Sequence, residues 1–583
     1  MSEEPQQPEV VADRGRWERS ELYRKEDWWA IWLGFAILAV GLAIFLPRPP
    51  AEMEERLAAT EASLAAEAAR APFQTIEWHR ANDIRSGLRA RNEPYARVLA
   101  RWLGTPAGWT TNPLESLYLS ESAAAERRAI AEPAYLAAQE ETARALAGAA
   151  VAQELAAAAG FRNPGLNEQA ERSIREWRQA REVERGSVRT QATVQAHNKL
   201  PYLVGLMVVV MLLFAAGARF IGIDTVRFMG GFWFLFLLAV VAWIVGNQST
   251  LQSWGFGGLI WAILGGILIS NTVGVPEFVR PALQTEYFIK TGLVLLGAEI
   301  LFSKILAIGQ PGIFVTWVVT PTVLILTYVF GQRVLKIESK TLNITVSADM
   351  SVCGVSAAIA TAAACRAKKE ELTIAVGMSM LFTAVMMIAL PTFIVAVGMH
   401  PVLGGAWIGG TVDSTGAVVA AGAFLGETGM FVAATIKMIQ NVMIGVIAFG
   451  VAVYWVSRVD GVPGEKVSKM EIWYRFPKFV LGFIAASIVF SAVLAGMGAA
   501  GDVMIDQGVI RGFSVLVRDW FFILAFASIG LSSDFREMAH QFKGGKPAIL
   551  YVCGQSLNLA LTLTVAYIMF FKVFPGVTES LMN

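Results

Sequence analysis

Long apolar segments recur along the chain from about residue 201 onward, separated by short polar stretches. Typical examples read PYLVGLMVVVMLLFAAGARF, FMGGFWFLFLLAVVAWIVG and FVLGFIAASIVFSAVLAG. An α-helix of about 20 apolar residues spans the hydrocarbon core of a bilayer. One such segment could be buried in a soluble protein, but a long series of them could not. The pattern therefore predicts an all-α polytopic membrane protein with about 11–13 membrane segments.

The predicted spans divide into long segments and two short ones. The long segments cover residues 201–221, 226–246, 251–272, 286–303, 308–334, 371–397, 428–456, 476–497, 514–533 and 547–573. The short segments, 342–365 and 404–426, are rich in glycine, alanine, serine and threonine. Irregular backbone at membrane depth is tolerated where protein or a wet cavity surrounds it. We expect each short segment to be a discontinuous helix that crosses the membrane, or a re-entrant one that returns.

The first 200 residues have a different pattern. Residues 1–27 are polar and basic, and residues 28–47 are apolar with tryptophans at their start. Because basic residues mark the cytoplasmic end of a membrane helix, we expect a cytoplasmic tail followed by an uncleaved first membrane helix. Residues 48–199 are polar and alanine-rich, and predict a helical extracytoplasmic domain, which could sense a ligand, dimerise the protein or cover the transporter. Residues 200–583 would form the transporter membrane domain.

Lysine and arginine in the loops test this orientation. From a cytoplasmic N-terminus, alternation puts GQRVLKIESK, SRVDGVPGEKVSKMEIWYRFPK and DFREMAHQFKGGKP in the cytoplasm, and all three are basic. GNQSTLQS and GDVMIDQGVIRG fall on the other side and carry less positive charge. Positive loops stay in the cytoplasm, so the pattern predicts a multi-pass protein of the inner (plasma) membrane. The basic CRAKKEE after the first short segment favours re-entry there.

Each short segment contains one aspartate within a polar sequence, SADMSVCGVSAA in the first and WIGGTVDSTGAVVAAGAFLG in the second. A helix that breaks there points the N–H groups of its second half at the break, which suits an anion. Carboxylate and hydroxyl oxygens suit a sodium ion or a proton. Paired broken helices near the midplane are typical of secondary transporters. The alternative is that the small residues serve only close helix packing.

These properties define two predicted sets of site residues. The substrate set is Ser351, Gly354, Gly410, Thr411, Ser414, Thr415 and Lys437. The coupling-ion set is Asp349, Asp413, Ser347 and Glu299. Charges inside the membrane are costly and therefore often functional. Lys437 has a second interpretation, a structural ion pair with Asp413 or Asp349, and for Arg518 and Asp519 a structural or interfacial role is favoured.

Other features limit the function classes. The sequence contains no G-x-x-x-x-G-K-[ST] loop and no His/Cys cluster, and its net charge is only +1. We expect no enzyme activity, no cofactor or metal beyond a coupling sodium ion or proton, and no nucleic-acid partner. Cys353, Cys365 and Cys553 lie in apolar segments and are predicted to be buried thiols. LVLLGAEILFSKILAI faintly resembles FASIGLSSDFREM, which indicates an inverted repeat.

Several motifs are similar to those of the YeiH-like family, whose members are named as sulfate exporters. In order from about residue 230, they are ILGGILISNTVG, GLVLLGAEI, SVCGVSAAIATAAACRAKKEELTIAVGMSM, IGGTVDSTGAVVAAG, IKMIQNVMIG and LAFASIGLSSDF. The resemblance implies a relation to the sodium/proton antiporter and bile-acid-transporter superfamily, with two discontinuous helices in a core domain beside a scaffold domain. This chain departs from the family pattern at Asp349, at Asp413-Ser414, near Glu299, and in its first helix and extracytoplasmic domain.

Together these observations predict an ion-coupled secondary transporter of a small anion, working by alternating access. Candidate substrates are sulfate, sulfite, or an organic sulfonate or carboxylate. The first alternative is a monovalent cation/proton antiporter, because two acids and a lysine near the midplane would suit it. The second is a membrane receptor with a helical sensor domain. The expected partners are the small anion, the lipid bilayer and a second copy of the chain in a homodimer.

Overall fold

The fold is known from a computed structural model, which describes residues 20–253, 257–459, 473, 476–534 and 545–582. Helices dominate these ranges, which confirms the all-α prediction. Within them, nine helices are long and apolar enough to cross a membrane. Most predicted spans agree with the observed helices within a few residues, and three start elsewhere. The helix in span 251–272 begins at Gly258, after a short helix Ser249–Ser253. The helical stretches that correspond to spans 308–334 and 514–533 begin earlier than predicted, at Phe302 and Ala499.

The helices and strands are numbered in chain order. The α-helices are α1 (Glu21–Arg24), α2 (Glu26–Phe45), α3 (Met53–Arg70), α4 (Ile76–Gly87), α5 (Pro94–Leu103), α6 (Glu121–Ala158), α7 (Pro164–Val183), α8 (Arg189–Ala192), α9 (Leu200–Ile221), α10 (Thr225–Gly246), α11 (Ser249–Ser253), α12 (Gly258–Thr272), α13 (Thr285–Glu299), α14 (Phe302–Ile313), α15 (Val319–Arg333), α16 (Lys340–Ser351), α17 (Val355–Ala364), α18 (Lys369–Ala396), α19 (Pro401–Thr411), α20 (Thr415–Ala423), α21 (Gly426–Tyr454), α22 (Phe479–Met497), α23 (Ala499–Gly501), α24 (Val515–Ser532), α25 (Lys546–Tyr567) and α26 (Pro575–Met582). Two short strands, β1 (Tyr118–Leu119) and β2 (His197–Asn198), pair antiparallel.

Some predicted features lie outside the described residues. Residues 1–19, 460–472 and 535–544 include most of the predicted cytoplasmic tail and much of two predicted basic loops. They also include the end of the second copy of the faint repeat. The inverted repeat therefore stays a prediction.

The chain forms two compact units. The first comprises Met1–Ile37, Met207–Ser491 and Val517–Asn583, and the second comprises Leu38–Leu206 and Ala492–Leu516. The second unit contains the helical domain predicted at residues 48–199. It also takes in Ala492–Leu516, which the sequence assigned to the transporter domain.

In the second unit, α6 and α7 pack along each other, and both contribute apolar side chains to the contact. Asn163 begins α7 because its side-chain oxygen accepts the N–H of Gly165 at 3.0 Å, and such caps stabilise a helix by about 1 kcal/mol. Ile174 and Trp177 are then buried with Ile76 and Ala149 in one cluster.

Close backbone contact joins two helices of the first unit, α12 and α24. A Cβ atom placed on Gly266 would lie 2.6 Å from the backbone nitrogen of Leu531, and one placed on Gly530 would collide with the carbonyl of Ile263. Small residues allow such an approach between membrane helices, where van der Waals packing contributes much of the association. Nearby, Trp520 of α24 stacks on Phe236 of α10 with ring centroids 5.0 Å apart.

Both short segments are broken helices, as the sequence predicted. In the first, α16 ends at Ser351 and α17 begins at Val355. In the second, α19 ends at Thr411 and α20 begins at Thr415. All four half-helices contact α18, α21 or α25 of the first unit, so the irregular backbone at each break is surrounded by protein.

Candidate functional site: two helix breaks beside a polar cavity

Gly354 brings the two breaks together. It has φ 56° and ψ −127°, a conformation that side chains with a Cβ rarely adopt, and its N–H donates to the carbonyl of Asp349 at 2.9 Å. A Cβ atom at this position would lie 2.6 Å from the hydroxyl of Ser379 and 3.2 Å from the Cβ of Asp413. The first break therefore packs directly against the aspartate of the second.

Side chains from α21 and α25 satisfy the carbonyl ends of the two first half-helices. Lys437 donates to the carbonyl of Val352 at 2.6 Å and to the side-chain oxygen of Gln440 at 2.7 Å. The other donors to these ends are Gln440 to Ser351 (3.2 Å) and Gly410 (3.1 Å), Gln555 to Thr411 (2.8 Å), and Asn558 to Met350 (3.3 Å). A buried ammonium next to a helix C-terminus offsets the partial negative charge there.

The N-terminal ends of the second half-helices are different. Neither α17 nor α20 has a side chain that caps its first turn, so backbone N–H groups remain available there. Residues from both ends line a cavity of about 460 Å³, among them Ser356, Ser414 and Thr415. Cys353 and Asn441 line it too, and the Asn441 side chain donates to the hydroxyl of Thr415 at 3.1 Å. This end of the cavity can offer hydrogen-bond donors to an anion.

The other lining of the cavity is charged. It includes four acids and four basic residues: Glu21, Glu26, Asp27, Glu286, Arg24, Lys25, Lys290 and Lys478. Lys290 contacts Glu26, and its ammonium lies 2.9 Å from Asp27 and 3.6 Å from Glu286. The polar start of the first membrane helix thus forms part of the wall that leads to the helix breaks.

The two aspartates have unequal surroundings. Asp413 accepts a hydrogen bond from the hydroxyl of Tyr551, whose ring stacks on Phe382 at 4.4 Å. Asp349 is fully buried, and neither of its carboxylate oxygens has a hydrogen-bond partner among the described residues, although Ser379 lies nearby. Gly354 connects the two residues, because its N–H donates to the carbonyl of Asp349 and its backbone packs against the Cβ of Asp413. Two buried carboxylates so placed need a proton or a cation to offset their charge.

Most of the predicted substrate set lies at the two breaks, where its members make different contacts. Ser351 and Gly410 contribute carbonyls that accept from Gln440, and the Thr411 hydroxyl donates to Trp407 on its own helix. Ser414 and Thr415 line the cavity. Lys437 does not form the ion pair that the sequence suggested as an alternative, because its ammonium donates to a carbonyl and an amide oxygen instead.

Two members of the predicted coupling-ion set have other partners. Ser347 contacts Asn343 on its own helix, at 3.4 Å. Glu299 pairs with Arg518, which also lies 2.8 Å from Asp519. The structural role favoured for Arg518 and Asp519 is consistent with this pairing, and Glu299 belongs to the same network. Elsewhere, Cys553 is exposed, so its prediction as a buried thiol was wrong.

The sequence did not reveal several residues of the site. Ser379 lies on α18, the next helix after the first break, and Tyr551 and Gln555 lie much farther along the chain. None of the three carries a local signal of its role. Lys290 lies in an apolar span, a position at which an ionisable residue is a functional candidate by default, and this signal could have found it. Within the described residues, no group of three or more His, Cys, Asp or Glu side chains could hold a metal ion.

Comparison with known proteins identifies the family. The profile of the conserved hypothetical protein 698 family matches residues 230–551, more than half of the chain. The chain belongs to this family. Both helix breaks, Lys437 and Tyr551 lie within the matched range, and the finding is consistent with the resemblance to the YeiH-like family. The relation to the sodium/proton antiporter superfamily stays a prediction.

Several relatives of this chain are named UPF0324 membrane proteins. One from Nitratidesulfovibrio vulgaris is 55% identical over 573 residues, which cover 98% of this chain and 99% of the relative. Another from Rhodopirellula baltica is 55% identical, covering 64% of this chain and 68% of its own. A third, from Nitrosomonas europaea, is 32% identical, covering 63% and 82%. Since the first alignment covers 98% of this chain, it includes residues of the helical domain as well as the membrane part. No solved structure matches the chain.

Proposed function

We propose that this protein is an ion-coupled secondary transporter of a small anion that works by alternating access. The observation that carries the proposal is the pairing of two broken helices whose uncapped N-terminal ends open into one polar cavity. A fixed site at such breaks, reached from one side at a time, is the arrangement that secondary transporters use. Family membership supports a membrane protein and leaves the substrate open.

The anion would bind at the cavity end of α17 and α20. Backbone N–H groups of their first turns, with the hydroxyls of Ser356, Ser414 and Thr415, would donate to its oxygens. Lys437 would act indirectly, by holding the carbonyl end of α16 in place. Sulfate or a related sulfur oxyanion or organic anion is the proposed substrate, and export is the proposed direction. The resemblance to the YeiH-like family supports both.

The coupling ion would bind between Asp349 and Asp413. Leaving a buried carboxylate without a partner is costly, so Asp349 gains most from a sodium ion or a proton. An anion and its coupling ion would then offset each other's charge during transport. We propose that the protein needs no other cofactor and is not an enzyme.

The test is uptake of radiolabelled sulfate into proteoliposomes that contain the purified protein. Asp349→Asn and Asp413→Asn should each abolish ion-coupled uptake, since an amide keeps the shape but cannot take up a proton or balance a cation. Asp224→Asn is the matched control, because Asp224 is an exposed cap of α10 and asparagine caps a helix equally well. Uptake that is unchanged in both site variants would overturn the assignment of the coupling ion.

A monovalent cation/proton antiporter is the second candidate, and the closeness of two buried acids favours it. The same liposomes distinguish the two functions. Proton release on adding sodium, with no transportable anion present, would favour the antiporter. Sulfate uptake that depends on the sodium or proton gradient would favour the anion transporter.

We further propose an inner-membrane location with a cytoplasmic N-terminus and an extracytoplasmic helical domain. Packing of the segment Asp502–Ser514 against this domain within the second unit supports the placement, because the loop and the domain were predicted to lie on the same side. A homodimer is proposed as the assembly, to be checked by light scattering in detergent. Full flux after deletion of residues 50–199 would argue against the receptor alternative.

A further inference from the structure

Two arginines on one face of α7 and a third just past its end converge on a single carboxylate in the second unit. Arg178 lies 3.2 Å from both carboxylate oxygens of Asp83, Arg181 contacts the same group, and Arg185, just past the end of the helix, lies 3.8 Å away. Their spacing continues the stripe in which Ile174 and Trp177 are buried. We call Arg178, Arg181, Arg185 and Asp83 the arginine cluster.

The stoichiometry of the arginine cluster is unusual for this unit. The other ion pairs among its described residues join one arginine to one acid, including Arg172 with Glu168 and Arg175 with Glu171 on the same helix. The arginine cluster instead joins three guanidinium groups to one carboxylate. It therefore carries about two positive charges in excess. A solvated helix face made of i,i+4 pairs does not need such an excess.

Among the ion pairs of the described residues, Asp83 is the acid that each of the three arginines contacts. Burial, together with Arg185 and Arg178, lowers the pKa of Arg181, and Asp83 opposes this effect. The same two arginines, Arg178 and Arg181, act on His79. Like charges brought this close repel each other, so the cluster stabilises an added anion.

The position of the cluster is held by packing. The guanidinium of Arg181 lies over the ring of Trp177, 5.4 Å from its centroid, and Trp177 is only 3% exposed. The side chains of Arg181 and Asp83 are 19% and 15% exposed, whereas those of Arg178 and Arg185 are 36% and 49% exposed. One side of the cluster is thus fixed by the helical core, and the other side faces solvent with free donors.

We propose that the arginine cluster is a binding site for a small oxyanion of two negative charges, such as sulfate or phosphate. Three guanidinium groups carry fifteen N–H donors, about four times as many as one carboxylate can accept. Planar guanidinium forks match the oxygen edges of such an anion. Asp83 preorganises the arginines while the site is empty and competes with the anion. The site lies in the helical domain, and its existence does not depend on the transport proposal.

Hydrogen–deuterium exchange on the full-length protein in detergent gives a local test. Sodium sulfate is compared with sodium chloride at equal, low ionic strength, because salt screens exposed charges over about 10 Å. Sulfate should slow amide exchange in residues 76–87 and 174–189, and phosphate at pH 8 should do the same. The proposal would be overturned if chloride protected these residues to the same extent as sulfate. It would also be overturned if neither sulfate nor phosphate protected them at concentrations up to millimolar.

Variants separate recognition from general stability. Arg185→Gln removes an exposed member of the arginine cluster. It should raise the apparent dissociation constant for sulfate roughly fivefold, which corresponds to about 1 kcal/mol of binding free energy. Arg175→Gln is the matched control on the same helix, since Arg175 pairs with one acid outside the cluster, and it should bind sulfate like the wild type. Equal sulfate protection in Arg185→Gln and Arg175→Gln would contradict the proposal.

Asp83→Asn provides a test with the opposite sign. Removing the competing carboxylate should lower the melting temperature in chloride and increase the rise in melting temperature that sulfate causes. A structural ion-pair network without an anion site would lose stability in the variant and recover none of it with sulfate. That second result would overturn the proposal.

Discussion

Replacing Gly354 by alanine tests whether the two breaks are packed as closely as the structure indicates. Its φ of 56° is a region that residues with a Cβ enter at a cost of about 1–3 kcal/mol. The added methyl would also lie 2.6 Å from the Ser379 hydroxyl and 3.2 Å from the Asp413 Cβ. Overpacking of this kind costs a further 1–3 kcal/mol or so. We therefore expect Gly354→Ala to destabilise the protein by about 2–6 kcal/mol.

The matched control is Gly450→Ala in α21, where nothing lies within 4 Å of an added Cβ. Alanine is the better helix former, so this variant should be neutral or more stable by up to about 1 kcal/mol. Thermal unfolding in detergent, followed by intrinsic fluorescence, compares the two variants, and sulfate flux in liposomes is measured alongside. Opposite signs are expected. Equal melting temperatures and equal flux in the two variants would show that Gly354 is not at a crowded crossing.

Three further perturbations follow from the geometry. Tyr551→Phe removes the hydroxyl that donates to Asp413. A lost hydrogen bond to a buried charge costs roughly 1.5–3 kcal/mol, so coupled flux should fall roughly 10- to 150-fold; unchanged flux would remove Tyr551 from the site. Arg518→Gln should destabilise the protein by about 3–5 kcal/mol, and adding Glu299→Gln should restore much of the loss in a thermal double-mutant cycle. Burial lowers the pKa of His79 below its usual 6.5, so the unfolded chain binds a proton more readily than the folded chain does. The free energy of unfolding should therefore fall as pH drops below about 6.5, which denaturation at pH 5 and 7.5 would check.

The helices could be predicted well because length and apolar composition decide them. A membrane helix needs about 20 apolar residues wherever it packs, so each span is a local property. The two breaks were also predictable, since an aspartate among glycines and hydroxyl residues marks both segments. Gly354 combines the needed conformation and the close contact, and glycine is the residue that permits both.

The partners within the site could not be predicted in the same way. Tyr551 lies 138 positions from Asp413 along the chain, and nothing in the sequence near Tyr551 indicates that its hydroxyl donates to a buried carboxylate. Lys437 was predicted to bind substrate or to pair with an aspartate, whereas its ammonium donates to the carbonyl of Val352 and to the side-chain oxygen of Gln440. Glu299 illustrates the same limit, because its pairing with Arg518 spans 219 positions. Such contacts depend on tertiary packing, and no local pattern in the sequence marks them.

The contact between Gly266 and Gly530 restricts how the protein can move. Because the backbones of α12 and α24 touch there, neither helix can roll about its own axis without driving a side chain into the other's peptide groups. We therefore expect the two helices to move together at this contact in the proposed transport cycle. Any residue other than glycine at the crossing would collide with the facing backbone. The bending that opens and closes access must then be absorbed elsewhere, at positions where helices touch through side chains that can change rotamer.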